Sequence, residues 1–147
     1  MRTGVFVSTL SVVLAIPLSI SLASFEAQAK PGKSGEWKVS PRKAKIKNPI
    51  AADAASVAIG AKLFAQECEN CHGKTGKGDG SEAADLDKPV RDFSTSDMWA
   101  QSDGAIRWKI RTGRRPMPSF KKMLSKDEIW HVTNYIRQTF DPAKKTP

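Results

Sequence analysis

The feature that most constrains this chain is Cys68-Glu69-Asn70-Cys71-His72, which holds both of its cysteines and one of its two histidines, His72 and His131. Thiols three residues apart lie about one helical turn from each other. They can add to vinyl groups on adjacent edges of one porphyrin, while the next imidazole faces the iron from the same side. C-x-x-C-H is the covalent attachment pattern of c-type haem. The competing uses of such a pair fit worse. A thioredoxin-like dithiol needs a βαβ setting, and no strand pattern surrounds the motif. A zinc site needs four ligands, and only His131 would be left to add. A disulfide across so short a loop stabilises little.

The rest of the chain must then supply a shell. Of 147 residues, 1–29 read as an export signal. Arg2 gives the positive start, Val5 to Leu22 is apolar and uncharged, and Ala27-Gln28-Ala29 offers the small residues a signal peptidase requires. Cleavage is expected after Ala29, which places the mature protein in a periplasm without stable membrane insertion. The alternative is an uncleaved anchor, which Pro17 and the Ala-x-Ala site disfavour. The mature chain is long enough for one small domain. With 39% hydrophobic and 27% charged residues, neither a polytopic membrane protein nor wholesale disorder fits.

Four parts are expected: the signal over 1–29, a basic arm over 30–49, the domain over 50–141 and a short tail over 142–147. The arm carries seven basic residues and one acid between Lys30 and Lys47, with prolines at 31 and 41. No regular structure is expected there, although Trp37 should pack on the domain. A first helix is expected from Ala54 to Asn70, capped by Asp53, with Gly60, Leu63 and Phe64 on one side. Gly60 costs helix propensity and suggests a close backbone approach. Residues 73–81 hold four glycines in nine. They lack the phosphate-loop spacing and read as a flexible loop. Residues 82–96 continue irregularly, with a helix cap at Ser94 or Ser96. A second helix runs from Asp103 to Thr112, between Ser102 and Gly113, with Ile106 and Ile110 inward. Two prolines in Arg114-Arg115-Pro116-Met117-Pro118 force an extended loop. The last helix opens on the capping box Ser125/Glu128 and shows the stripe Ile129, Val132, Thr133, Ile136, Phe140. No segment alternates like a strand, so the fold class is all-α, helices and long loops around a cofactor.

An iron held by His72 has a sixth position that is filled or open. Met98, Met117, Met123 and His131 are the candidates. A helix histidine such as His131 is more often a packing residue than a ligand, and methionines are usually core filling, as Met123 would be. The proline bracket around Met117 favours it, because a stiff loop holds a thioether still.

With these residues in place, the stretch from Ile50 to Phe140 resembles the class I cytochrome c family, of the single-haem bacterial periplasmic kind. The resemblance rests on Gly60-x-x-x-Phe64, the Cys68–His72 motif, Met117-Pro118, and the C-terminal helix with Trp130 and Tyr135. It implies a small helical shell around one haem c, with Gly60 and Phe64 meeting the last helix. It also implies His72 as proximal and Met117 as distal ligand. One departure is plain. The family often has a proline soon after the motif whose carbonyl fixes the imidazole, whereas Gly80-Ser81 stands here, with Pro89 a distant substitute.

A site with two protein ligands has no place for substrate and passes single electrons, so the chain is expected to be an electron carrier and not an enzyme. The alternatives are a haem subunit of a membrane-associated oxidoreductase complex, and a sensor or peroxidase-like protein with an open iron. The net charge is +9, and seven cations with no acid fall between Arg107 and Lys122. They suit acidic redox partners, unless they simply form a solvated face. Nucleic acid would fit the charge but not export. The chain is expected to act as a monomer or as a subunit of a complex.

Overall fold

The computed structural model describes residues 37–144 together with Gly4. The expected signal segment, apart from Gly4, lies outside the described residues, as do the start of the arm and the last three residues. Among the described residues there are six α-helices, three 3-10 turns and one isolated β-bridge. In chain order the helices are α1 Pro41–Ala44, α2 Ala54–Glu67, α3 Glu69–His72, α4 Ser96–Trp99, α5 Asp103–Thr112 and α6 Lys126–Phe140. The all-α reading holds.

α6 forms as its sequence dictates. The Ser125 hydroxyl accepts from the Glu128 N–H at 3.2 Å, and the Ser125 N–H donates to the Glu128 carboxylate at 2.7 Å. Two otherwise unpaired donors at the helix start are thereby satisfied. Ile129, Val132, Thr133, Ile136 and Phe140 are all buried along one stripe. α2 opens on Asp53, whose carboxylate accepts from the Ser56 N–H at 2.8 Å.

The two helices cross at Gly60. A Cβ there would overlap the backbone carbonyl of His131 and sit 2.7 Å from the Tyr135 Cβ. No flexible side chain stands in the way, so only glycine permits this approach. Just beyond the crossing, Phe64 packs on Tyr135 at 5.2 Å and on Phe140 at 5.4 Å between ring centroids. α5 has the expected bounds. Ser102 accepts from the Ala105 N–H, Ile106 and Ile110 are buried, and Gly113 closes the helix.

Several expectations need correction. The first helix stops at Glu67, not Asn70. Cys68 leaves helical geometry, closing α2 and opening the single turn α3. The carbonyls of Asn70, Cys71 and His72 are then taken by the N–H groups of Glu82, Gly80 and Gly78. That hydrogen bonding ties back the glycine segment expected to be a flexible loop. The cap of α4 is Thr95, not Ser94 or Ser96, and it donates its hydroxyl back to the Asp92 carbonyl at 3.0 Å. The arm is not wholly irregular, since Pro41 starts α1, where its missing N–H has no bond to lose.

The arm is also docked, as Trp37 suggested. The Trp37 ring meets Trp108 edge-on at 6.4 Å. The Ser102 hydroxyl donates to the Ala44 carbonyl at 2.6 Å. Asn48 donates to Asn134 on α6 at 2.7 Å, and Asn134 donates in turn to Ser56 on α2 at 2.8 Å.

Two outcomes are expected. Gly60→Ala forces backbone against backbone and should cost about 3 kcal/mol in thermal or denaturant unfolding, at the upper end of ordinary overpacking. A loss within experimental error would show that the helices can part. The Glu128 carboxyl is held below its ordinary value chiefly by the Ser125 N–H. A depressed carboxyl contributes stability above its unfolded pKa and loses it as pH falls through the folded one. Glu128→Gln should therefore lower stability at neutral pH and flatten its decline below about pH 4.5.

Candidate functional site

α3 brings three predicted site residues onto one turn. Its backbone closes with the N–H groups of Cys71 and His72 both donating to the Cys68 carbonyl, at 3.2 and 2.9 Å. Both cysteines are free thiols and half-buried. Cys68 faces inward against the hydrophobic core. Burial, reinforced by Glu67, pushes its thiol up to about 12. Cys71 lies on the outer side, its sulfur 3.8 Å from the Glu82 carboxylate. Burial and that carboxylate raise its pKa too. A reactive dithiol or a thiolate metal site needs lowered values. These thiols are instead held protonated, the form in which an S–H adds across a double bond.

His72 is half-buried, with its Nδ1 fully covered. Its ring stacks on Phe93, with centroids 4.7 Å apart and planes 23° apart, and Phe64 stands at 6.5 Å. Burial pushes the imidazole down to about 4. The ring is therefore neutral at physiological pH, which is the state that ligates a metal. The backbone carbonyl of Arg91, two residues beyond Pro89, opposes this shift without closing a well-formed hydrogen bond to Nδ1.

Met117 reaches the same core from another part of the chain. Residues 114–117 are not an extended loop but a tight turn. Arg114 and Met117 exchange both backbone hydrogen bonds at 3.0 Å, across a cis Arg115–Pro116 peptide. The Ser119 hydroxyl ties the next stretch of chain to the Arg111 carbonyl at 2.9 Å. Met117 is half-buried and packs against the cluster that Cys68 also joins.

The other candidates for a sixth ligand are otherwise engaged. Met98 is core, 5% exposed, with its sulfur 3.4 Å from the Gln101 amide nitrogen. His131 pairs its Nδ1 with the Ser56 hydroxyl at 2.8 Å. Met123 is 56% exposed, so it is surface and not the core filler expected.

Two residues near the site were not singled out from sequence. Phe93 is buried against His72, and its only sequence signal is an aromatic within the polar stretch 87–97. Trp99 has a buried Nε1 with no hydrogen-bond partner among the described residues.

Comparison with known proteins agrees with this geometry. Residues 55–136 match the family model described as Cytochrome C oxidase, cbb3-type, subunit III. Cytochrome c6 of Euglena viridis is 32% identical over 82 residues, covering 52% of this chain and 85% of the relative. Cytochrome c550 of Pseudomonas aeruginosa is 29% identical over 90 residues, covering 61% and 60%. Among solved structures, a chain of the Kuenenia stuttgartiensis reducing HAO-like protein complex Kustc0457/Kustc0458 superposes with a TM-score of 0.56 at 31% identity. The match covers 63% of this chain and 47% of that one. The neutral imidazole, the paired thiols and the helical shell thus belong to a c-type cytochrome carrying haem c, and the chain is a member of the cbb3-type cytochrome c oxidase subunit III family.

Proposed function

We propose that Cys68 and Cys71 hold one haem by thioether bonds, that His72 and Met117 ligate its iron from opposite sides, and that the chain shuttles single electrons between periplasmic redox partners. The observation that carries this is the single turn that sets Cys68, Cys71 and a covered His72 together, with Cys68 and Met117 on one core cluster. The donor set fits the group: two free thiols, one unprotonated imidazole and one thioether on a shared core. When bound, the haem supplies the one-electron couple, and a thioether ligand favours its ferrous state.

The protein's residues do the rest. Phe64, Phe93 and Phe140 exclude water from the His72 side. The turn at 114–117 holds the Met117 sulfur without a helix. No paired carboxylates or nucleophile–base pair stand at the site among the described residues, so we read the chain as a carrier without catalysis of its own. We assign 50–141 to the cytochrome domain, 30–49 to the arm and 142–147 to the tail. Export is inferred from the segment ending at Ala29. No helix of the described residues is long and apolar enough to cross a membrane.

The basic segment divides in two. Arg115, Lys121 and Lys122 are exposed around the Met117 turn, whereas Arg114 lies 5.0 Å over the Trp37 ring. Arg107 is half-buried, 4.7 Å over the Trp130 ring, and Lys109 lies 5.6 Å from the Trp37 ring. The three cations Arg115, Lys121 and Lys122 are the group that would meet an acidic partner. A second reading, a haem subunit fixed in a complex, is favoured by the solved chain from a multi-protein assembly. Purification as a monomer after mild lysis would set it aside.

Peptide mass analysis should find one haem on the fragment containing Cys68 and Cys71. Met117→Ala should keep that haem attached, turn the ferric spectrum high-spin and admit carbon monoxide to the ferrous iron. An unchanged low-spin spectrum would mean that Met117 is not the ligand. The electron-transfer rate with an acidic partner should fall about tenfold or more from low to high salt, as steered association does. A rate flat with ionic strength would remove the steering role.

A further inference from the structure

We propose that Phe93 is a positioning residue for His72, its stacked ring fixing the plane of the imidazole. The inference rests on the reading of His72 as an iron ligand. A ligating histidine ordinarily donates its second ring nitrogen to a carbonyl or carboxylate, which fixes its rotation about the metal bond. Here Nδ1 is covered, and the Arg91 carbonyl that faces it closes no well-formed hydrogen bond. With that bond incomplete, the rotation left to a ring held by its own side chain and one metal bond is restrained by packing.

Phe93 is placed to provide it. Its ring lies 4.7 Å from His72 at 23°, nearly parallel, whereas Phe64 is at 6.5 Å and 44°. Rotating the imidazole would drive its edge into the Phe93 face. Phe93 is itself locked, being 6% exposed and packed on Phe140 at 5.5 Å. Its N–H donates to the Gly76 carbonyl at 2.7 Å. Gly76 has φ +71°, and a Cβ there would lie 2.8 Å from the Phe93 ring and 3.0 Å from Phe140. The glycine segment after the Cys–His turn therefore makes room for the ring that holds the histidine.

The test uses the exported, haem-loaded full chain and low-temperature electron paramagnetic resonance of the ferric state, which reports the orientation of the axial imidazole. Phe93→Leu should keep covalent haem and a low-spin visible spectrum. Its low-field g line should shift and broaden, and Phe93→Tyr should restore the native line. A Phe93→Leu line identical to the native one would overturn the proposal and return the role to the Arg91 carbonyl. Should the Leu variant fail to accumulate, nuclear Overhauser contacts between the Phe93 and His72 rings in the native ferrous protein decide. Their presence supports the stack and their absence overturns it. A native protein without any low-spin signal would overturn the ligand reading itself, which the visible spectrum shows before any variant is made.

Discussion

The contact of α2 with α6 at Gly60 is the constraint on which the rest depends. Because no side chain separates the two backbones there, Phe64 is brought directly beneath Tyr135 and Phe140. Phe140 packs on Phe93, and Phe93 packs on His72. A continuous run of aromatic contacts thus links the helix crossing to the imidazole. α3 leaves α2 just after Phe64, so the position of both thiols is inherited from the same crossing.

Around that frame the electrostatics favour neutral groups. Burial keeps the inner thiol protonated and the imidazole unprotonated, while charge is left to the periphery, on Glu82 beside Cys71 and on the cations around residues 114–122. An apolar environment costs a charged ligand far more than a neutral one. The site is therefore matched to a large, mostly apolar group bound by neutral donors, which is what a haem requires. The arm belongs to this arrangement. Through Asn48 it joins the buried Asn134 and Ser56, and through Trp37 it lies against the α5 end that leads to Met117.

Much of this was legible in the residues, where the signals are local. The α6 capping box, the Ser102 and Asp53 caps, the stripe of α6 and the Cys–His spacing each depend on neighbours within a turn or two. Gly60 was legible because an unfavourable helix residue asks for a reason. What could not be read depends on tertiary placement or on single bonds that no periodic pattern announces. α2 ends early because Cys68 leaves helical geometry, after which residues 78–82 take the carbonyls of α3. Thr95 takes the N-cap of α4 without a side-chain capping bond, since its hydroxyl is spent on the Asp92 carbonyl. Met123 sits at the surface because Phe120 and Leu124 fill the core on either side of it. Phe93 carries no periodic pattern at all, and only the fold places it on His72.

The most direct test of the account is an optically monitored redox titration of the native exported protein, with carbon monoxide added to the reduced end point. The account predicts a single one-electron transition between low-spin ferric and low-spin ferrous forms, and no response to carbon monoxide. A high-spin ferric form, a second transition, or rapid carbon monoxide binding would contradict it. The iron would then be open or accompanied by another centre, and the chain would not be a simple electron carrier.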